Sequence, residues 1–337
     1  MKEGVIVASK HLNQAKINKD DEFYTQYEDI EKALIHYKEK FKDKVVYCNC
    51  DDICQSNFWR FFHYNFEEFG IKQLIATNYS TIPGEAYKAV YEGGNDYNIF
   101  SCDLKKLEGN GDFRSEECIE VLKQADIVCT NPPFSLLIEF LHVLVNNDKQ
   151  YLIITPDTCL SYQVVFNLFL NNKVKTGFTK LSKFLKSDGT YSGVCCHWLT
   201  DLDIYIPKNI ELTAKYDSSK YVVYDNYSAI NIPTFKDIPI DYDDIMGVPI
   251  TYLQHHNSNL FQIVGCDNFK NNYYFHTKYY ENPKQHSPEG KITNGSKVNT
   301  NTVIAYDTPP INKTYYTATN TDKYLVAQFT RIFIKRV

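Results

Sequence analysis

Between Val45 and Thr155, short apolar runs alternate with segments of helical spacing, and this alternation restricts the fold more than any other feature of the chain. Val45-Val46-Tyr47-Cys48 and the runs at 71–77, 127–130 and 151–155 are short and mostly apolar, as buried strands are. The segments between them carry helix punctuation. Ile30, Ala33, Leu34 and Tyr37 share one face within 28–40. Ser56 is placed to cap an aromatic helix over 57–69 that Gly70 stops, Ser115 to cap 116–124, and Ser135 to cap 136–145. Strand and helix in alternation imply βαβ units, hence an α/β fold with a largely parallel sheet and helices on both faces. After about Asp203 the alternation stops. The remainder of the chain is rich in Tyr, Asn, Thr and Pro, with short apolar runs at 221–224, 261–264 and 331–334. A boundary near residue 205 therefore separates an α/β domain, 1–205, from a β-rich region, 206–337.

Asn131-Pro132-Pro133-Phe134 comes directly after the run at 127–130. A polar residue, a proline pair and an aromatic at the carboxyl end of a buried strand stand where open α/β sheets bind ligands. Asn131 offers a side-chain carbonyl and Pro132 a backbone carbonyl, while the two rings fix the loop's dihedrals. Two rigid acceptors can grip one amino group, and Phe134 supplies a flat face for a heterocycle to stack on. The arrangement suits a nucleobase with an exocyclic amine. The same residues also read as an ordinary turn between strand and helix.

The quartet resembles the catalytic motif of amino-group methyltransferases that use S-adenosylmethionine, where Asp or Asn precedes Pro-Pro and an aromatic residue. In that class two acceptors draw the amine lone pair out of conjugation so that it can attack a methyl group on a sulfonium. Positioning and electrostatics then carry most of the catalysis. The run 45–48 opens into Asn49-Cys50-Asp51-Asp52 and Ser56-Asn57 before the aromatic helix, a loop and helix N-terminus suited to hold a cofactor. Asp51 or Asp52 can accept hydrogen bonds from the donor's cationic or hydroxyl groups, or cap an Asx turn. The loop contains no glycine, unlike the glycine-rich signature common in these enzymes.

Length and charge narrow the partners. A chain of 337 residues with 43% hydrophobic content can bury one large core or two ordinary ones. No apolar run reaches the roughly eighteen residues that a membrane span needs, so an intracellular, cytoplasmic protein with no membrane partner is expected. Ten cysteines fit a reducing compartment, and Cys48, Cys50 and Cys54 lack the paired spacing of a zinc site, so no metal is expected. From Asn268 to Val337 ten basic residues face four acidic ones, a net of +6, whereas the chain as a whole carries −5. A basic C-terminal part beside an acidic body suits a protein that touches phosphate with one region only.

Asp21 to Tyr27, Val45 to Asp52, Ser56-Asn57-Phe58, Gly111 to Ser115, the Asn131 quartet, Gly193 to Asp203 and Gly247 to Thr251 together look like the EcoRI-type adenine-specific DNA methyltransferases. The likeness spans most of the chain. It implies a Rossmann-like methyltransferase sheet with a β-rich target-recognition region, S-adenosylmethionine as cofactor and adenine in double-stranded DNA as substrate. Carried over, it makes Asn131, Pro132, Pro133 and Phe134 catalytic. Asp21, Glu22, Phe23, Tyr24, Thr25 and Gln26 would wrap the methionine end of the cofactor. Asn49, Cys50, Asp51, Asp52, Ser56 and Asn57 would form its main pocket, with Asp112 and Phe113 near its adenine.

Adenine in a duplex must be extruded before its amine can react. Trp198 is expected against the extruded base, or else in the core, and Lys291, Lys297 and Lys313 on phosphate. The resemblance also implies a monomer on DNA, working as an orphan methylase or beside a cognate restriction endonuclease. Rival readings are a protein-glutamine methyltransferase, which faces the same amine-gripping problem, and a DNA-binding module that holds cofactor without turning it over.

Overall fold

Phe23–Tyr24 (β1) is the first element of the computed structural model, which describes residues 23–82, 84–94, 97–186, 189–205, 211–267 and 276–337. The described residues form two compact units, one from Met1–Val164 and Val174–Pro207, the other from Val165–Lys173 and Lys208–Val337. No helix among them is long and apolar enough to cross a membrane.

In the first unit, Tyr27–Leu34 (α1) buries Ile30, Ala33 and Leu34 on the face that the spacing predicts, and continues through a 3-10 turn at Ile35–Tyr37 into Lys38–Phe41 (α2). Val45–Asn49 (β2) is buried at every position, as a central parallel strand must be. Then come Asn57–Tyr64 (α3), Gln73–Thr77 (β3), Tyr87–Tyr91 (β4), Asp103–Lys106 (β5), Glu116–Gln124 (α4) and Ile127–Thr130 (β6). Leu137–Asn146 (α5), Gln150–Pro156 (β7) and Gln163–Leu170 (α6) are next, α6 belonging mostly to the second unit. Lys175–Leu181 (β8), Phe184–Lys186 (β9), Tyr191–Ser192 (β10) and Cys196–Thr200 (β11) complete the unit.

Eight strands make one mixed sheet in the order β5-β4-β3-β2-β6-β7-β11-β8, flanked by helices. Its centre, β3-β2-β6-β7, is parallel, with Val46 opposite Leu74 on one side and Ile127 on the other. Both edges are antiparallel. The α/β fold is as the alternation predicts, and the sheet matches the Rossmann-like methyltransferase fold that the resemblance implies. The expectation of a largely parallel sheet is corrected: only the four central strands are parallel. The chain goes from β2 to β3 on one side and returns to β6 on the other, so the strand order reverses between β2 and β6. Loops at the carboxyl ends of these two strands frame the crevice in which such sheets bind ligands. A separate small sheet pairs β1 with β9 and β9 with β10.

Two local expectations are corrected. The aromatic helix stops at Tyr64 rather than Phe69, because Asn65 turns its backbone and side-chain nitrogens onto the Phe61 carbonyl. Gly70, at φ +60°, ends the succeeding turns. Ser135 does not cap α5. The proline pair holds the chain extended, and a 3-10 turn at Phe134–Leu136 leads into the helix instead. Ser56 and Ser115 do cap: Ser56 Oγ accepts from the Phe58 and Trp59 amides, and Ser115 from the Cys118 amide. Each cap is worth about 1 kcal/mol.

The second unit is β-rich. Ile230–Asn231 (β12), Met246–Pro249 (β13), Phe261–Cys266 (β14) and Arg331–Arg336 (β20) form one sheet in the order β12-β13-β20-β14. Lys284–His286 (β15), Ile292–Asn294 (β16), Val303–Tyr306 (β17), Tyr315–Ala318 (β18) and Thr321–Ala327 (β19) form the other. The runs at 261–264 and 331–334 lie in strands, whereas 221–224 contributes only an isolated bridge from Val223 to Ile230. Gly247 sits where a Cβ would come within 2.6 Å of the Tyr224 ring, so the small residue lets that tyrosine pack on β13.

Candidate active site

Cys50 takes φ +68°, and this left-handed step turns the chain sharply at the end of β2. The turn separates two neighbouring carboxyls. Asp51 points inward. Its amide donates to the Thr77 carbonyl at the end of β3, one carboxyl oxygen meets Ser56 Oγ at 2.5 Å, and the other meets Thr130 Oγ1 at 2.5 Å. Burial pushes its pKa up to about 7, against the hydrogen bonds from Ser56 and Thr130. Asp52 faces outward, accepting from the Cys54 amide at 2.8 Å and from the Tyr87 hydroxyl at 2.5 Å. Burial and then Asp52 itself raise the Tyr87 phenol, which keeps it a hydrogen-bond donor.

Asp52 and Tyr87 line a cavity of about 520 Å³ together with Asn78, Tyr79 and Lys106. Asn78 braces the wall by accepting from the Tyr87 amide at 2.8 Å. Asn49, 1% exposed, carries a buried side-chain oxygen with no hydrogen-bond partner among the described residues. Burying an acceptor unpaired is costly, and a ligand donor would relieve that cost. The Asn57 side chain donates to the Thr25 carbonyl at 2.7 Å, which ties the segment before α1 to the N-terminus of α3.

Across the β2–β6 junction lies the Asn131 loop. Thr130 Oγ1 contacts both the Asn49 carbonyl, at 2.7 Å, and Asp51, so the two loops are joined by side-chain hydrogen bonds as well as by the sheet. Asn131 and Pro133 are half-buried and Pro132 is buried. Phe134 is 7% exposed and meets Phe184 edge-on, with ring centres 6.3 Å apart. The structure thus brings together Asn49, Asp51, Ser56 and the Asn131 loop.

The other expected site residues divide. Asp21 and Glu22 lie outside the described residues, and Phe23 and Tyr24 pair with Lys186 and Leu185 as β1. Gln26 holds the cap position of α1. Asp112 is engaged by Arg114 through its backbone and guanidinium, and this pairing lowers the carboxyl pKa. Phe113 is buried edge-on against Phe140, 5.1 Å away. Trp198, 0% exposed, packs edge-on to Phe58 within the core of the first unit. Full burial gives it the core position, the second of the two readings that the sequence offered, and in this structure its indole presents no face to a base. Lys291, Lys297 and Lys313 are exposed, and Lys297 reaches over the Phe329 ring at 5.6 Å.

Four residues of this region carry no sequence signal as strong as the quartet. Thr130 ends the strand run, whereas Tyr87 is far from Asp52 in sequence. Asp157 and His197 form a pair at 2.9 Å, with His197 also 3.1 Å from Thr155. Their backbones are joined through β7 and β11, which period and spacing do not reveal.

Gly111 holds the loop at 110–113 against the end of β3. It takes φ +76°, and an added Cβ would come within 1.9 Å of the Asn78 carbonyl oxygen, a backbone atom that cannot swing away. Gly111→Ala is therefore expected to destabilise the first unit by about 2 kcal/mol or more. Chemical denaturation checks this, and wild-type stability would show that the loop tolerates another path.

The family described as Adenine-specific methyltransferase EcoRI matches residues 11–337. The chain is 42% identical over 289 residues to Type II methyltransferase M.EcoRI of Escherichia coli, an alignment that covers 76% of this chain and 89% of the relative. It is 36% identical to Type II methyltransferase M.MgeORF184P of Mycoplasma genitalium, over 76% of this chain and 86% of the relative. It is 35% identical to Type II methyltransferase M.MpnI of Mycoplasma pneumoniae, over 76% and 85%. No solved structure matches the chain. A mixed sheet whose parallel centre reverses its strand order between β2 and β6, an Asn-Pro-Pro-Phe loop at that reversal and this sequence kinship lead to one assignment: the chain belongs to the EcoRI family of adenine-specific DNA methyltransferases.

Proposed function

We propose that the chain transfers a methyl group from S-adenosylmethionine to the N6 amine of an adenine turned out of duplex DNA, as the intracellular modification enzyme of a type II system. The observation that carries this reading is the junction of the Asn49–Asp52 loop with the Asn131 loop through Thr130. Cofactor and amine must meet within about 3 Å for methyl transfer. A cofactor loop and an amine-gripping loop tied side by side at a sheet crevice meet that demand.

S-adenosylmethionine supplies an electrophilic methyl group on a sulfonium when bound. The residues of the β2 loop fit such a group. Asn49 has an acceptor oxygen in want of a donor, and Asp52 and Tyr87 offer polar atoms in a cavity with room for a nucleoside. Asp51 supports the loop from behind. Across the junction, the Asn131 side-chain carbonyl and the Pro132 carbonyl accept from the adenine amine and draw its lone pair out of the ring. Phe134 forms the apolar wall against the base. Residues 1–205 then make the catalytic domain. Residues 206–337 carry target recognition and phosphate contacts by Lys291, Lys297 and Lys313, with one chain acting on each DNA site.

Label transfer from tritiated S-adenosylmethionine to duplex DNA, followed by nucleoside analysis, tests the reaction. Methyl-deoxyadenosine is expected, and label in cytosine or in protein would overturn the reading. Phe134→Ala should reduce extrusion of a fluorescent base analogue at the target site, since removal of a stacking ring costs roughly 1–3 kcal/mol per base. Equal fluorescence in the variant complex would make Phe134 a packing partner of Phe184 alone.

A further inference from the structure

Three oxygen atoms lie in sequence where β2 meets β6. Asp51 Oδ2 is 2.5 Å from Thr130 Oγ1, which is 2.7 Å from the Asn49 carbonyl oxygen. Two close contacts between oxygens need two protons, and the Thr130 hydroxyl carries one. A carbonyl has none to give, so the second proton must sit on Asp51. The other carboxyl oxygen agrees with this count. Ser56 Oγ already accepts from the Phe58 and Trp59 amides, which leaves its own proton for Asp51 Oδ1 at 2.5 Å. A carboxylic acid that accepts on Oδ1 and donates from Oδ2 satisfies every atom of the chain. A carboxylate leaves one oxygen pair facing each other without a proton.

The surroundings favour the neutral form too. The ionisable groups coupled to Asp51 are Asp52 beside it, Cys48 and Cys50 on its own strand and turn, and Cys129 on β6. None of them becomes positive on ionising. Burial holds the three thiols well above their ordinary range, so they stay neutral, and the Asp52 carboxyl repels a charge on its neighbour. Ser56 at the N-cap of α3 and Thr130 on β6, its carboxyl's hydrogen-bond partners among the described residues, are hydroxyls.

We propose that Asp51 is held as a neutral carboxylic acid that donates its proton to Thr130, and that the chain Ser56–Asp51–Thr130–Asn49 acts as a bolt setting the Asn131 loop against the cofactor loop. Thr130 is then a positioning residue for the reaction. Asn131 comes directly after it, so the bolt fixes where the amine-gripping carbonyl begins. Asp51 and Asp52, adjacent in sequence, take opposite duties: one fastens the loops, the other faces the cavity. The catalytic half of this proposal rests on methyl transfer at the Asn131 loop; the placement of the proton does not.

Infrared spectroscopy of the full chain reads the proton directly. At pH 6 a protonated-carboxyl stretch is expected that Asp51→Asn removes, and in the wild type it should fade as the pH passes about 7. Thr130→Ser should leave the band in place, whereas Thr130→Val should shift it by removing its acceptor. Identical carboxyl spectra for wild type and Asp51→Asn would overturn the neutral acid. Should Asp51→Asn not fold, an unshifted spectrum in Thr130→Val would do the same. For positioning, Thr130→Val should slow single-turnover methyl transfer by about tenfold or more, with Thr130→Ser restoring it. An unchanged rate in Thr130→Val would overturn the bolt. Absence of any methyl transfer to DNA by the wild type would remove the functional reading and leave the infrared result to decide the proton.

Discussion

Asn131→Ala is expected to lose nearly all methyl transfer, by about a hundredfold or more in single-turnover rate, while binding of S-adenosylmethionine stays within about twofold. The two halves of this result come from two sides of one junction. Truncation removes the side-chain carbonyl that holds the amine as it attacks, an interaction worth on the order of 3 kcal/mol when it acts only in the transition state. It leaves Asn49, Asp52 and the Tyr87 contact untouched, because these belong to β2, its turn and β4. The fold should survive as well. The strand before Asn131 is fixed on one side by β2 and on the other by β7, with Thr130 opposite Ile153. Asn131→Asp, which keeps an acceptor oxygen, should lose far less than Asn131→Ala. If the alanine variant turns over as the wild type does, Asn131 is not part of the chemistry. If it loses cofactor binding in parallel, the loop is a cofactor wall rather than an amine clamp.

The sheet was legible because burial on two faces leaves a plain mark. Ile127–Thr130 and Glu116–Gln124 fall where apolar run length and the Ser115 cap put them, and the reversal between β2 and β6 is a consequence of their pairing. Helix ends were less legible. Asn65 stops α3 with a side-chain bond that competes with the helix, a choice that Asn makes in some contexts and not in others. The quartet's location at the sheet crevice could be reasoned from the strand before it. The division between Asp51 and Asp52 could not, since it depends on one left-handed residue, Cys50, that is not a glycine. Trp198 shows the opposite difficulty. Its strand is flanked by β7 and β8, and a residue at the centre of such a strand is buried whatever its chemistry would offer a base. Tyr87 reaches Asp52 only because β4 runs antiparallel beside β3, a pairing across a long loop that carries no short-range signal.

Combined neutralisation of Lys291, Lys297 and Lys313 should weaken binding to specific and random duplexes alike, by about a hundredfold at moderate salt. Charge is the reason. The stretch from Asn268 to Val337 carries a net +6 in a chain of −5, and these three lysines are exposed there. No acid pairs with any of the three among the described ion pairs, in contrast to Lys323 with Asp307 and Lys278 with Asp225. Lysines without acidic partners are the ones that can release counterions from DNA. Removing one phosphate contact should flatten the dependence of log affinity on log salt by about 0.9, so the triple variant should lower the slope by nearly three. Sequence preference should persist, since phosphate contacts position the duplex without reading it. Affinity for S-adenosylmethionine should not change either, because its proposed pocket belongs to the first unit. Fluorescence anisotropy across a salt series measures both the affinity and the slope. An unchanged slope would mean that these lysines face solvent in the complex, and the phosphate contacts would then have to come from other basic residues.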